Sequence, residues 1–470
     1  MQDAGMNTGA MLGRLVAATI AIAFVSSVPA LAQTLEQALG QAYRNNETLN
    51  AERASLRGID EEVPQALSGF RPRVEATTYL GRRYLNEQGA DGERETSTTT
   101  PRGVGLTAAQ TIFNGSQTSN RVRMAENQVL AGREVLRVME QTVLLDAVTA
   151  YMDVLRNAAV LELQRRNLDS LHEQLEVTRN RQIAGQLTFA DVAEVRSRFA
   201  SARSEVLAAE AANDASRATF ERVIGSQPGK LTPGQPADRF VPSTLDAAID
   251  VGRTEHPAVT AAMYGADVAL LQTKIAEGAL YPTVTLEGNV RRRWDATPEQ
   301  FLPFPGTSTD ASIVGRVVVP LYQGGSEYAK IRQSKEAIGQ KRLSLEAVRK
   351  LAKATVVQAW GLTNAAKAQI ESVQSQVQAA EIAYDAVRSE FGAGQRSTFE
   401  LLTLQQELLN SRVALVNAQR ARVVTSYTLL SAVGRLSPQV LGLPTKLYDP
   451  SVHYDQVRDS WFGIRTPDGR

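Results

Sequence analysis

FGAGQRSTFELL (residues 391–402) and QIAGQLTFADVA (182–193) are cousins, 209 residues apart in a chain of 470. In each, a glycine (Gly185, Gly394) is followed three positions later by a hydroxyl residue (Thr188, Ser397). An acid (Asp191, Glu400) comes three positions after that. Glycine takes the left-handed conformation that closes a helix C-terminus. The Thr or Ser accepts from the first free N–H groups of the next helix, and the acid completes a Ser/Thr-x-x-acid capping box. Each stretch therefore reads as a tight turn joining two antiparallel helices.

The helices on either side are long. Ser116 to Ile183 holds no proline and a single glycine, Gly132, and Gly325 to Phe391 again holds no proline. Each run extends on the order of 100 Å. No globular domain hides such a helix, so it packs side by side with others. After each turn a second run follows, 188–224 and 398–433, with small and apolar residues recurring at three and four.

Further landmarks repeat at an offset of 210 for the earlier ones and 209 for the later ones. TLEQALGQAYRNNETL, from Thr34, answers to TLDAAIDVGRTEHPAV, from Thr244; Pro72 answers to Pro282, IFNGS (112–116) to LYQGG (321–325), and Gly225 to Gly434. The chain thus reads as one unit written twice, 33–240 and 241–443, preceded by a leader (1–32) and followed by a tail (444–470). Repeats this long imply internal two-fold pseudo-symmetry rather than a solenoid.

Each unit opens with two short helices, 34–45 and 48–69 in the first, 244–255 and 257–279 in the second. Two strands follow, about 72–84 and 102–113, then about 282–294 and 311–321. Val284, Leu286, Gly288 and Val290 share one face; Thr283, Thr285, Glu287 and Asn289 share the other. Val74, Ala76, Thr78 and Leu80 alternate likewise with Arg73, Glu75, Thr77 and Tyr79. The segments between the strands, 85–101 and 295–310, read as polar or Pro/Gly-rich loops. Alternating strands of this length joined by long polar loops fit an outer-membrane barrel, and a soluble hairpin pair with one wet face fits the alternation too.

Arg14 precedes the apolar run LVAATIAIAFV (15–25), and Ala30-x-Ala32 supplies a small-x-small cleavage pattern. This reads as a secretory signal cut after Ala32, with Met1, Met6 or Met11 as its start. No later stretch is long and apolar enough for a membrane helix. Cysteine is absent, which excludes disulfides, thiolate chemistry and a lipid-modified N-terminal cysteine. The formal net charge of +1 gives no reason to expect nucleic acid. His172, His256 and His453 are scattered, and no Walker loop, nucleophile elbow or dinucleotide fingerprint occurs. No catalytic residue, cofactor or metal is expected.

One unit supplies two strands and one helical hairpin, so one chain supplies four strands. Four cannot close a barrel, and eight close one that side chains fill. Three chains give twelve strands and six hairpins. The expected fold is an α+β membrane protein: a trimeric twelve-stranded outer-membrane β-barrel continuing into a long antiparallel α-helical barrel in the periplasm.

Over nearly the whole mature length the pattern resembles the TolC-type family of trimeric outer-membrane channels. IAGQLTFADVAEVRSRFASARSEVLAAEA, AGQRSTFELLTLQQELLNSRVALVNAQR and SYTLLSAVGRLSPQVLGLP carry the likeness, and the tail YDPSVHYDQVRDSWFG resembles the type I secretion branch. The resemblance implies a homotrimeric exit duct in outer-membrane lipid. Cargo would be fed to it by an inner-membrane ABC or RND transporter through a periplasmic adaptor (membrane fusion) protein. Secretion and multidrug efflux both stay open, and a periplasmic coiled-coil adaptor or scaffold without a pore is the alternative reading.

Asp191 and Glu400 would give a trimer six carboxylates near the tunnel tip, a ring able to attract cations; the same acids also cap helices. In the family a second acid stands one turn later, where this chain has Thr403, with Glu194 as the counterpart in the first copy. Arg396 has no twin, since Leu187 occupies its place. The resemblance implies that Arg396 ties neighbouring hairpins and holds the aperture closed; a solvated turn arginine is the plainer reading. Phe391 stands where the family often has tyrosine. Gly185, Leu187, Thr188, Gly394 and Ser397 are the adaptor-docking positions the resemblance implies. Arg82, Arg83 and Arg291 to Arg293, with Tyr84 and Trp294, fall at the outward strand ends, where they flank the interface or meet lipid phosphates.

Overall fold

The computed structural model describes residues 32–88, 92–296 and 306–469. The expected signal peptide, apart from Ala32, and most of the second interstrand loop lie outside those residues.

The first half runs α1 (Leu35–Asn45), α2 (Glu47–Asp60), α3 (Glu62–Leu67), β1 (Arg73–Leu80), β2 (Arg83–Gln88), β3 (Arg94–Thr99), β4 (Arg102–Asn114), α4 (Gln117–Ile183) and α5 (Phe189–Ile224). The second runs α6 (Leu245–Thr254), α7 (Pro257–Gly278), β5 (Thr283–Ala296), β6 (Gly306–Val318), α8 (Ser326–Gly392) and α9 (Thr398–Ala432). α10 (Pro438–Leu441) follows α9, and the tail adds α11 (Ser451–Val457).

α4 and α8 are 67 residues each, about 100 Å of continuous helix. Their return helices, α5 and α9, have 36 and 35 residues, so they climb back only about 55 Å. The upper lengths of α4 and α8 pack instead on α7, which lies between them, and α2 and α3 also cover α4. Gly132 marks where α2 comes closest: a Cβ there would sit 3.0 Å from Leu56 and 3.2 Å from Ile59. The main core lies at mid-height, where α1, α4, α5 and α9 bury Leu39, Leu144, Tyr151, Phe220 and Leu430 with Leu436, Leu441 and Leu443 just beyond α9. The Tyr151 hydroxyl lies 2.8 Å from the Gln33 carbonyl and 2.7 Å from that of Thr232, binding the first described residues to the linker between the halves.

The strands form one antiparallel sheet in the order β1-β4-β5-β6. The β4–β5 ladder joins the halves, with Leu106 opposite Val290 and Ala108 opposite Gly288. Val74 faces Ala108 across β1–β4, and Gly288 faces Ile313 across β5–β6. The residues expected on one apolar face therefore share it across all four strands. Arg73, Glu75, Thr107, Glu287, Asn289 and Arg316 hold the opposite face.

Three expectations need correction. The strand expected over about 72–84 ends at Leu80, and Arg83 and Tyr84 start β2 instead. The segment 85–101 is not a loop throughout: β2 and β3 pair as a hairpin beyond the sheet, Arg83 opposite Thr99 and Gln88 opposite Arg94. Its polarity hid it, yet the threonines of β3 suit an extended, solvated ladder. The last strand occupies 306–318 rather than 311–321. Pro320 has no N–H for a ladder, and the polar Thr-Ser-Thr-Asp start read as loop.

Candidate functional site at the two hairpin tips

α4 ends at Ile183 with Ala184 as its cap, and Gly185 follows with φ +76°. The Gly185 N–H donates to Gln182 O (2.9 Å) and the Gln186 N–H to Arg181 O (2.9 Å). The second tip repeats this arrangement: Gly394 has φ +78°, its N–H donates to Phe391 O (3.1 Å), and the Gln395 N–H donates to Glu390 O (2.9 Å). These paired bonds satisfy the last helical carbonyls. No atom lies within 4 Å of a Cβ at either glycine, so backbone sign rather than space selects glycine here.

Thr188 caps α5. Its N–H and hydroxyl donate to Asp191 Oδ2 (2.9 and 2.7 Å), and the Asp191 N–H donates to Thr188 Oγ1 (3.2 Å). Ser397 does the same for α9: its N–H and hydroxyl donate to Glu400 Oε2 (3.1 and 2.9 Å), and the Glu400 N–H donates to Ser397 Oγ (3.3 Å). The Thr188 hydroxyl and N–H hold the Asp191 carboxyl below its ordinary range. The Ser397 N–H and hydroxyl, then Arg396, do so for Glu400. Both acids are thus kept ionised, while part of each carboxylate is engaged by its own cap.

The side chains around these caps differ. Arg396 Nε donates to Glu390 Oε2 (2.7 Å) and Nη1 to Glu400 Oε1 (3.0 Å), and these carboxylates raise the guanidinium pKa. Within the chain, both partners of Arg396 belong to its own hairpin. In the first tip Leu187, half-buried, stands at the matching position. Thr403 is exposed and returns its hydroxyl to Phe399 O (2.8 Å), so it does not join Glu400.

The tips also meet each other, through contacts that sequence reasoning missed. The Arg181 guanidinium lies 5.2 Å from the ring centroid of Phe391, which is buried. Thr398, buried at the start of α9, is near enough to favour the ionised form of Asp191, though outside hydrogen-bond geometry. Further along the seam, Gln405 Nε2 donates to Asn167 Oδ1 (2.9 Å) in the interior. Leu402 packs with Leu171, Leu175, Val195 and Ala202. Aligning the two tips shows one signal that was available: Arg181 stands where Glu390 stands.

At the far end, the strand alternation places Arg291 and Arg293 on the polar face, Arg293 with Nη2 3.4 Å from Asp310 Oδ1. Arg292 lies over Trp294 at 5.3 Å. Each histidine has structural work. His256 Nδ1 accepts from the Ala258 N–H at the start of α7 (3.1 Å), His453 Nδ1 lies 2.9 Å from Asp60 Oδ2, and His172 packs on Phe199.

Comparison with known proteins agrees with this architecture. Residues 38–226 and 249–435 each match the family described as outer membrane efflux protein. The chain is similar to outer membrane efflux protein BepC of Brucella suis, 38% identical over 462 residues, covering 97% of this chain and 98% of that one. It is 23% identical over 434 residues to outer membrane protein TolC of Escherichia coli K12, covering 89% and 86%. The crystal structure of the Campylobacter jejuni CmeC outer membrane channel superposes with a TM-score of 0.77 at 14% identity, over 90% of this chain and 89% of that one.

Proposed function

Since the chain belongs to the outer membrane efflux protein family, the TolC-type channels of the Gram-negative outer membrane, we propose that three copies close into one hollow tube. Its twelve-stranded barrel sits in the outer membrane, and its antiparallel helical barrel extends through the periplasm. The observation that carries this reading is the open sheet. β1 and β6 are edges, the shared face is apolar, and a lipid-exposed sheet edge leaves backbone groups without partners. Strand directions alternate around the sheet, so β6 of one copy pairs antiparallel with β1 of the next. The flank of α8 supports the same assembly: Leu343, Leu351, Leu362 and Ile382 are exposed in the single chain and would be covered by a neighbour. Matched lengths in the two halves (67 and 67 residues, 36 and 35) support quasi-sixfold walls.

The tube is a passive exit duct across the outer membrane for efflux or type I secretion. We assign its periplasmic aperture to Asp191, Glu400, Arg396, Phe391 and Thr403. Adaptor docking is assigned to the exposed turns at Gly185, Leu187, Thr188, Gly394 and Ser397. An adaptor of the membrane fusion type and an inner-membrane ABC or RND transporter complete the route.

Fractionation tests the assembly: the protein should be recovered from the outer membrane as a heat-modifiable trimer that conducts in planar bilayers. A monomer in the soluble periplasmic fraction, without a conducting pore, would return the reading to a coiled-coil scaffold. Deleting the gene and measuring drug susceptibility beside the secreted proteome assigns the cargo.

A further inference from the structure

The tail beyond the helical halves does not hang free. Tyr448 presents its N–H to the Tyr43 hydroxyl (3.2 Å), and that hydroxyl donates to the buried Glu140 (3.0 Å). The Arg53 guanidinium is held between the rings of Tyr43 and Tyr448 at 4.5 and 5.0 Å. α11 then climbs along α2 and α4, fixed by His453 on Asp60 (2.9 Å), Tyr454 under Arg133 (5.2 Å) and Arg458 near Glu126 (3.5 Å). The climb ends at Arg71, two residues before β1. Its Nη1 donates to Ser460 O (2.6 Å) and its guanidinium covers the Trp461 ring at 4.6 Å. The chain thus carries its own end from mid-height to the base of the sheet.

What is delivered there is apolar. Trp461 is 64% exposed, Phe462 92% and Ile464 100%. At the same level, the helix-side ends of all four strands present exposed aromatic side chains: Phe70 before β1, Phe113 at the end of β4, Tyr281 before β5 and Tyr322 after β6. Tryptophan and tyrosine with an apolar body and a polar rim collect at membrane–water boundaries, and barrels carry such girdles at both ends. The girdle adjoins the apolar sheet face that begins at Val74.

We propose that Trp461, Phe462 and Ile464 insert into the periplasmic leaflet of the outer membrane, with Arg465 at the phosphate level. The tail thereby anchors the periplasmic rim of the barrel in phospholipid. The inference rests on reading the sheet as a membrane barrel. Three features select lipid as the occupant. The segment is continuous with the strand-end girdle, a basic residue follows it directly, and Arg71 clamps it at that height. The chain has no cysteine, so no lipidated cysteine supplies a second anchor.

The three tryptophans, Trp294, Trp360 and Trp461, make the test direct. Full-length protein with W294F/W360F reports on Trp461 alone; W360F/W461F reports on Trp294 in β5. Both are reconstituted in phosphatidylethanolamine–phosphatidylglycerol vesicles containing phospholipid brominated at shallow or deep acyl positions. Trp461 is expected to lose most of its emission, more with shallow bromines than deep ones. Adding F462D/I464D in that background should abolish the quenching while the trimer persists on gels. Quenching of Trp294 but not Trp461 overturns the anchor and leaves the barrel standing, whether Trp461 emits as in water or blue-shifted against a neighbouring copy. Quenching of neither defeats the barrel reading, and the anchor with it. Quenching of Trp461 that survives F462D/I464D also overturns the anchor.

Discussion

The two hairpin tips share one backbone and run on opposite charge logic. Both close a 67-residue helix with a left-handed glycine and restart with a capping box. In the first, Arg181 sits in the last turn of α4, where the helix dipole favours a cation. In the second, Glu390 holds the matching place, and α8 has no basic residue in its last turn. Arg396 offsets that conflict by clasping Glu390 and Glu400 together, whereas Leu187 in the first tip has nothing to clasp. The first tip satisfies the local helix-end rules without a bridging cation. The second depends on one exposed arginine, which makes it the tip that a single change, or a partner competing for that arginine, can release.

The largest expected effect follows from that asymmetry. Arg396→Ser should raise single-channel conductance in planar bilayers several-fold, since two carboxylates lose their shared cation and one of them, Glu390, lies at a dipole-opposed helix end. Leu187→Arg should leave conductance near the parent value, because Arg181 stands where Glu390 would be and the only acid at the matching place, Asp191, is held by its own cap. Unchanged conductance in Arg396→Ser removes Arg396 from the gate; matched changes in both variants would break the comparison.

Backbone changes should erase the difference. Gly185→Val and Gly394→Val each force a β-branched residue into the left-handed region, at a cost of about 1–2 kcal/mol. With open space around both glycines, the two losses should be equal when read as amide-exchange protection of the flanking turns. Unequal losses would mean that one tip is braced by its surroundings and not by its turn.

The shared features were the legible ones, because a glycine, a hydroxyl residue and an acid at fixed spacing determine a turn locally. The same holds for the long helices, whose ends fall within a residue or two of Ser116, Ile183, Gly325 and Phe391, and for the strand faces, which period-two alternation orders. Contacts between hairpins were not legible. Arg181 on Phe391 and Gln405 on Asn167 link residues more than 200 positions apart, and nothing in either local pattern names the partner. β2 and β3 escaped for a different reason: an extended ribbon of mostly polar residues has no apolar period to read. The path of the tail, built on Arg–aromatic and His–Asp pairs, was equally silent.

Acid should act on the two tips with the same sign. Asp191 and Glu400 both titrate below the ordinary carboxylate range when folded. Their contribution is therefore present above that range, persists as pH falls through about 4, and is lost only below it. Buried Glu140 and Asp60 are shifted upward by desolvation. They contribute oppositely, favouring the folded packing of α1, α2 and the tail on α4 as pH falls through their raised values. Protection of the Asp191 and Glu400 amides, followed down the pH scale, should therefore drop later than expected for free carboxylates. Salt sharpens the contrast: screening weakens the exposed Arg396 pairs and should loosen the second tip, leaving the Thr188–Asp191 cap nearly unaffected. Equal salt sensitivity would place the second tip's hold in its cap rather than in Arg396.

The smallest effect tests whether the tips are independent at all. Arg181 reaches across the seam, since Asp191 in its own tip is held by Thr188, and the ring it reaches lies in the last turn of the other helix. A cation over an aromatic face at a partly exposed site is worth about 0.5–1 kcal/mol. Arg181→Gln should therefore lower second-tip protection by that amount and raise channel opening slightly, with Arg181→Lys retaining part of the effect. Phe391→Leu keeps the apolar volume and removes the ring. In a double-mutant cycle the two changes should then be non-additive by about the same 0.5–1 kcal/mol. Strict additivity would show that the cation and the ring are neighbours without coupling. The first tip would then be only a wall beside the second, and Arg396 alone would hold the second tip shut.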